Sequence, residues 1–122
     1  MARIHRFLAD EHRWEGVAVE AYADAAVLGV TKQVLIGRDD GAERYAVRYF
    51  ELEPGARSSL DRHEHDHGVV ILRGHGRLLL GETAHDVAFG DAIYIGPNEV
   101  HQLENTSAEP FGFLCVVTGG RS

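Results

Sequence analysis

From about residue 30 onward the chain divides into short runs rich in Val, Ile, Tyr and Phe, each closed by a Gly, Pro or Asp turn signal. The predicted strands are Thr31 to Ile36, Tyr45 to Leu52, Val69 to Leu72, Arg77 to Leu80, Ala92 to Ile95 and Phe111 to Val117. Between them lie the turn sequences Arg38-Asp39-Asp40-Gly41, Glu53-Pro54-Gly55, Gly74-His75-Gly76, Gly81-Glu82-Thr83, Phe89-Gly90-Asp91 and Gly96-Pro97-Asn98. Many short strands at this spacing, with no helical run between them, restrict the fold to an all-β antiparallel sandwich or barrel. The first 30 residues do not follow the pattern. Glu20 to Leu28 consists of fair helix formers, while Val17, Val19 and Ala21 alternate as a strand would, and both readings stand.

At 122 residues the chain has room for one domain with a real core, and no repeat or linker divides it. The expected organisation is an N-terminal segment over 1–30, a barrel over 31–118 and a tail over 119–122. With 12 Lys+Arg against 19 Asp+Glu, the formal charge of −7 argues against nucleic-acid and anionic-membrane partners, which bind through a cationic surplus. The apolar stretch Phe111 to Val117 is too short to cross a bilayer. The charged start MARIHRFLADEHRWEG lacks the apolar segment of a secretory signal, so a cytoplasmic location is expected. Cys115 is the sole cysteine, which rules out a disulfide framework and a Cys-based zinc site.

Histidine is the unusual component: eight residues, six of them between His63 and His101. The segment Asp61-Arg62-His63-Glu64-His65-Asp66-His67 sets potential ligands at alternate positions. In an extended strand, Asp61, His63 and His65 would face one centre. His67 would join them if the strand stays regular, or would come from the next strand if the chain turns first. Far along the chain, a predicted strand and a Gly-Pro turn lead to His101.

Taken together, these two elements resemble the cupin superfamily. Its first motif, G-x5-H-x-H-x3-4-E-x6-G, aligns with Gly55, Asp61, His63, His67 and Gly74. Its second, G-x5-P-x-G-x2-H-x3-N, aligns with Gly90, Gly96, Asn98, His101 and Asn105. Asp61 stands where the first His is expected and His67 where the Glu is expected, so the first motif reads D-x-H-x3-H. Gly96 and Asn98 replace the Pro and Gly of the second motif. The resemblance implies a double-stranded β-helix, or jelly-roll barrel, with one divalent transition metal per chain on His63, His67 and His101. Asp61 is either a fourth ligand or a catalytic base. Three imidazoles with or without a carboxylate suit Fe, Mn, Zn or Ni and leave coordination sites open. The resemblance also implies a homodimer, often built by exchange of N-terminal strands.

Three functions fit this site: a mononuclear non-haem dioxygenase acting on a small organic molecule, a redox-neutral isomerase, lyase or cyclase, and a non-catalytic small-molecule-binding barrel. Further pocket candidates are Arg48, His65, Tyr94, Gln102, Phe113 and Cys115. Arg48 has the parity of Ala46, Phe50 and Leu52, so it either meets a substrate anion inside or snorkels to water near the strand end. Phe113 and Cys115 share one face, where the thiol is a wall of the site or a small buried hydrophobe. His65 shares the parity of His63 and is read as a non-ligand, either beside the ligands or exposed at a bulge, with an alternative ligand the remaining reading. Tyr94 and Gln102 are candidate hydrogen-bonding groups. His5, His12, His75 and His85 are expected on the surface.

Overall fold

A computed structural model describes residues 1–22, 24 and 27–119. Among the described residues eleven strands follow in order: β1 (Phe7–Leu8), β2 (Arg13–Trp14), β3 (Glu20–Ala21), β4 (Val30–Ile36), β5 (Tyr45–Leu52), β6 (His67–Arg73), β7 (His75–Leu80), β8 (Thr83–Ala88), β9 (Ala92–Ile95), β10 (His101–Glu104) and β11 (Phe111–Thr118). A single turn of 3-10 helix, Arg38–Asp40, joins β4 to β5. The fold is the expected all-β jelly roll.

The six-stranded sheet runs β3-β4-β5-β11-β6-β9 and the three-stranded sheet β10-β7-β8, all pairings antiparallel. Alternation on the central strands explains which face is covered. Ala46, Phe50 and Leu52 of β5 and Phe111, Phe113, Cys115 and Val117 of β11 are buried, while Val116 emerges on the other face. These side chains meet Ile71, Leu78, Ile95 and Leu103 from the other strands in one core. Each large apolar side chain so enclosed contributes roughly 1.5–3 kcal/mol.

The N-terminal segment covers the opposite face of the large sheet. The β1–β2 hairpin and Val17 lay Trp14 and Val17 on Leu35, Tyr49, Leu72 and Leu114. Of the stretch left open between helix and strand, the described part carries β3, paired to β4 through Glu20 with Lys32 and Ala21 with Thr31. The edge strand β3 is too short for its apolar period to show.

Other departures from expectation have simple causes. β8 went unpredicted because it is a polar edge strand in which only Val87 is buried. His75 opens β7 instead of lying in a turn, although it is exposed as expected. Gly74 makes the bend that carries the chain from β6 into β7, at φ +68°, and a Cβ there would lie 2.5 Å from the Pro110 carbonyl oxygen. His12 is only partly exposed, not the open surface residue expected. It sits at φ +50° with its ring among Phe7, Trp14 and Tyr49 and its Nε2 buried. His5 is only partly exposed and meets Asp40 at 2.7 Å. His85 is exposed on β8. The expected tail begins at Gly119, whose N–H donates to the Arg44 carbonyl, and 120–122 lie outside the described residues.

Candidate functional site

Backbone pairing brings the two histidine-bearing segments together. Asp61 and His101 exchange N–H···O bonds of 3.0 and 2.9 Å, and the Asn98 N–H donates to the His63 carbonyl at 2.6 Å. Asn98 takes φ +62° to close the turn that delivers His101. Residues 62–66 are not strand: the chain turns there, and His67 returns as the first residue of β6. Asp61, His63, His65 and His67 nonetheless all line one cavity of about 370 Å³, together with His101, Arg48, Phe113 and Cys115. Its volume is that of a small organic ligand.

His63, His67 and His101 each present a ring nitrogen, and the three nitrogens lie within 4.8 Å of one another. His101 Nδ1 is 2.9 Å from the Glu99 carbonyl oxygen, so it carries the proton and leaves the Nε2 lone pair for the centre. His67 Nδ1 lies 3.2 Å from Cys115 Sγ, and its buried Nε2 has no hydrogen-bond partner. A buried imidazole nitrogen without a partner is costly, and a metal ion is a group that satisfies it. Burial, the imidazoles of His101, His65 and His63, and the Arg48 guanidinium together push the His67 pKa from 6.5 down to about 4. The ring is therefore neutral at physiological pH, the state a metal requires. The three rings can hold a divalent ion, and the donor set fits one.

Asp61 stands beside this trio, with Oδ2 3.7 Å from His63 Nε2 and a short hydrogen bond from the Ser59 hydroxyl. His65 stacks on His63 at 4.7 Å and lies 4.7 Å from His67, ring to ring. Arg48 takes the inner of its two anticipated positions. Its guanidinium lies 5.1 Å from the centre of the Phe50 ring and its Nη2 is 3.3 Å from Cys115 Sγ. Burial pushes the Cys115 thiol up, and Arg48 opposes that shift.

Two candidates point elsewhere. Tyr94 is 65% exposed and donates to Asp66 Oδ2 at 2.9 Å, because β9 turns it to the outer face of the sheet. Gln102 does not line the cavity and donates instead to the Ser58 carbonyl at 2.9 Å, tying β10 to the backbone at Ser58. Conversely, Tyr22, Ser58 and Ser59 line the cavity and were not anticipated. Tyr22 lies in the segment of ambiguous periodicity, and no sequence spacing relates it to the histidines.

A small jelly roll that gathers three imidazoles able to hold a metal ion in one cavity is the architecture of a cupin-type barrel. The chain belongs to the cupin family, whose Cupin domain model matches residues 48–117. It is 38% identical over 122 residues to the 1-methylthio-D-xylulose 5-phosphate methylsulfurylase of Rhodospirillum rubrum, covering 98% of this chain and 77% of the relative. A crystal structure of a cupin 2 conserved barrel domain protein from Rhodopseudomonas palustris superposes with a TM-score of 0.84 at 40% identity, over 98% of this chain and 83% of that one. The polyketide cyclase RemF from Streptomyces resistomycificus is 28% identical with a TM-score of 0.83, over 97% and 79% of the two chains.

Proposed function

We propose that this protein is a metal-dependent enzyme that removes a methylthio group from a small sulfur-bearing sugar phosphate, the activity for which its Rhodospirillum rubrum relative is named. The observation that carries the reading is the position of Cys115. Its Sγ lies in the wall of the cavity that gathers the three imidazoles, in contact with both His67 Nδ1 and Arg48 Nη2.

His63, His67 and His101 would hold a divalent ion, which when bound would supply a Lewis acid for a carbonyl beside the carbon–sulfur bond. The remaining chemistry belongs to the chain. Burial holds Cys115 as the thiol, the contact from Arg48 Nη2 favours its ionisation to the nucleophilic thiolate, and the proton released passes to Asp61 in the same cavity. The thiolate attacks the methylthio sulfur, and the electrons of the breaking carbon–sulfur bond pass to the carbon and into the adjacent carbonyl. The carbon then takes a proton, which Asp61 at the side of His63 is placed to hold and return. Cys115 is left in a mixed disulfide with the methylthio group, which an external thiol reduces, restoring the free cysteine. Phe50, Phe113 and Ile95 exclude water from the reacting sulfur.

The test is incubation of the metal-loaded protein with 1-methylthio-D-xylulose 5-phosphate and a thiol. The expected result is a 1-deoxy ketose phosphate, with the methylthio adduct on Cys115 trapped by mass spectrometry when the thiol is withheld. Absence of both product and adduct overturns the reading. A dioxygenase is the second reading, favoured by three imidazoles gathered in one cavity, a donor set that suits Fe(II). It requires oxygen uptake by the Fe(II)-loaded protein with an organic substrate.

A further inference from the structure

Among the described residues lining the cavity, one polar side chain comes from outside residues 48–117: Tyr22, in the segment ahead of the barrel. Its backbone is held firmly. β3 pairs with β4 immediately before it, and its own N–H donates to the Val30 carbonyl at 3.0 Å. Its ring packs against Phe50 with centroids 6.0 Å apart, and both side chains line the cavity.

The hydroxyl meets Ser59 Oγ at 3.5 Å, the outer limit of a hydrogen bond. Ser59 spends its own proton on Asp61 Oδ2, so toward Tyr22 it offers only a lone pair. Tyr22 is therefore the donor in a long, weak contact. An acceptor oxygen arriving in the cavity takes that donor over at little cost, and an anionic oxygen takes it most strongly. Tyr22, Ser59, Asp61 and His63 follow one another along the wall, which puts the phenol three contacts away from the imidazoles. A ligand anchored at the imidazoles meets Tyr22 with its far end.

We infer that Tyr22 is a specificity-determining residue, donating its hydroxyl to an anionic oxygen, phosphate or carboxylate, at the end of the ligand remote from the three histidines. The inference deepens the reading of the site as one for a sugar phosphate and rests on it for the choice of phosphate. It gives the segment before the barrel a direct role in ligand choice.

The experiment is isothermal titration of the Zn(II)-loaded full chain, wild type and Tyr22→Phe, with D-xylulose 5-phosphate, D-xylonate and neutral D-xylulose. Metal content is checked in parallel. Tyr22→Phe keeps the ring on Phe50 and removes only the donor. We expect it to weaken the preferred anion about tenfold, the value of one hydrogen bond to a charged group, with unchanged zinc content and unchanged affinity for D-xylulose. A phosphate preference supports the sugar-phosphate reading. A carboxylate preference with the same Tyr22 dependence keeps the assignment of Tyr22 and removes that reading. Equal anion affinity in the two proteins, an equal loss for neutral D-xylulose, or no anion binding by the wild type overturns the inference.

Discussion

His67 Nδ1 and Cys115 Sγ lie 3.2 Å apart, one at the start of β6 and the other midway along β11. The contact engages one ring nitrogen with the thiol and leaves the other buried without a partner, facing His63 and His101. A metal ion held by the three rings would thereby be joined to the thiol through a single imidazole.

Replacing Cys115 should act on both. Cys115→Ala is expected to abolish methylthio transfer and to weaken metal affinity by roughly 10-fold or more, the usual cost of losing a ligand's outer partner. Cys115→Ser, which retains a hydrogen-bonding atom, should restore metal affinity without restoring transfer. Metal titration with a competing chelator, alongside the transfer assay, separates the two effects.

Removing the ligands should remove the ion. His63→Ala, His67→Ala and His101→Ala are each expected to lose most bound metal, whereas Asp61→Ala should weaken binding less. Elemental analysis of the purified variants reads this directly, and full occupancy in His101→Ala would exclude that residue as a ligand.

Gly74 and Gly41 both take positive φ, +68° and +88°, yet differ in what surrounds them. An alanine at Gly41 meets no atom within 4 Å and should cost only the backbone strain, about 1 kcal/mol. At Gly74 the new Cβ would lie 2.5 Å from the Pro110 oxygen, so strain and overlap add. Gly74→Ala should therefore lower the denaturation midpoint clearly more than Gly41→Ala in parallel urea titrations.

The N-terminal hairpin should be clasped in a pH-dependent way. The hydrogen bond from His5 Nε2 to Asp40 raises the His5 pKa and lowers that of Asp40. The His5 contribution is complete below its unfolded value near 6.5 and fades as pH rises through the raised folded value. That of Asp40 is present above 3.8 and fades as pH falls through its lowered value. The clasp is tightest between about pH 4 and 6.5. Hydrogen exchange at the Glu15 amide, which bonds the Arg6 carbonyl, should be slower at pH 5.5 than at pH 8.5 after correction for intrinsic rates. Asp40→Asn should flatten the difference.

Asn105 is a motif residue whose place is structural. It is buried, donates to the Leu52 and Glu109 carbonyls and accepts from Ser107. Asn105→Ala should cost about 1–3 kcal/mol through the groups left unpaired, measured as a shift in unfolding midpoint, while the folded fraction binds metal normally.

The amino-acid order alone determined the all-β class and most of the central strands, and its resemblance to the cupin motifs singled out the three imidazoles. The strands live in local patterns, alternation along Tyr45 to Leu52 and Phe111 to Val117 and glycines where φ must be positive, whereas the imidazoles were picked out by two motifs matched in order. It could not separate Arg48 inside from Arg48 outside, nor place Tyr94 and Gln102, because strand parity gives a face but not which face another layer covers. The tertiary structure made those choices. Pairing Arg48 with Cys115 across β5 and β11 turned the guanidinium inward, pairing β9 at the sheet edge left Tyr94 in solvent, and folding the N-terminal segment onto β4 carried Tyr22 to the cavity. These contacts join residues far apart in sequence, so only the closing of the barrel could decide them.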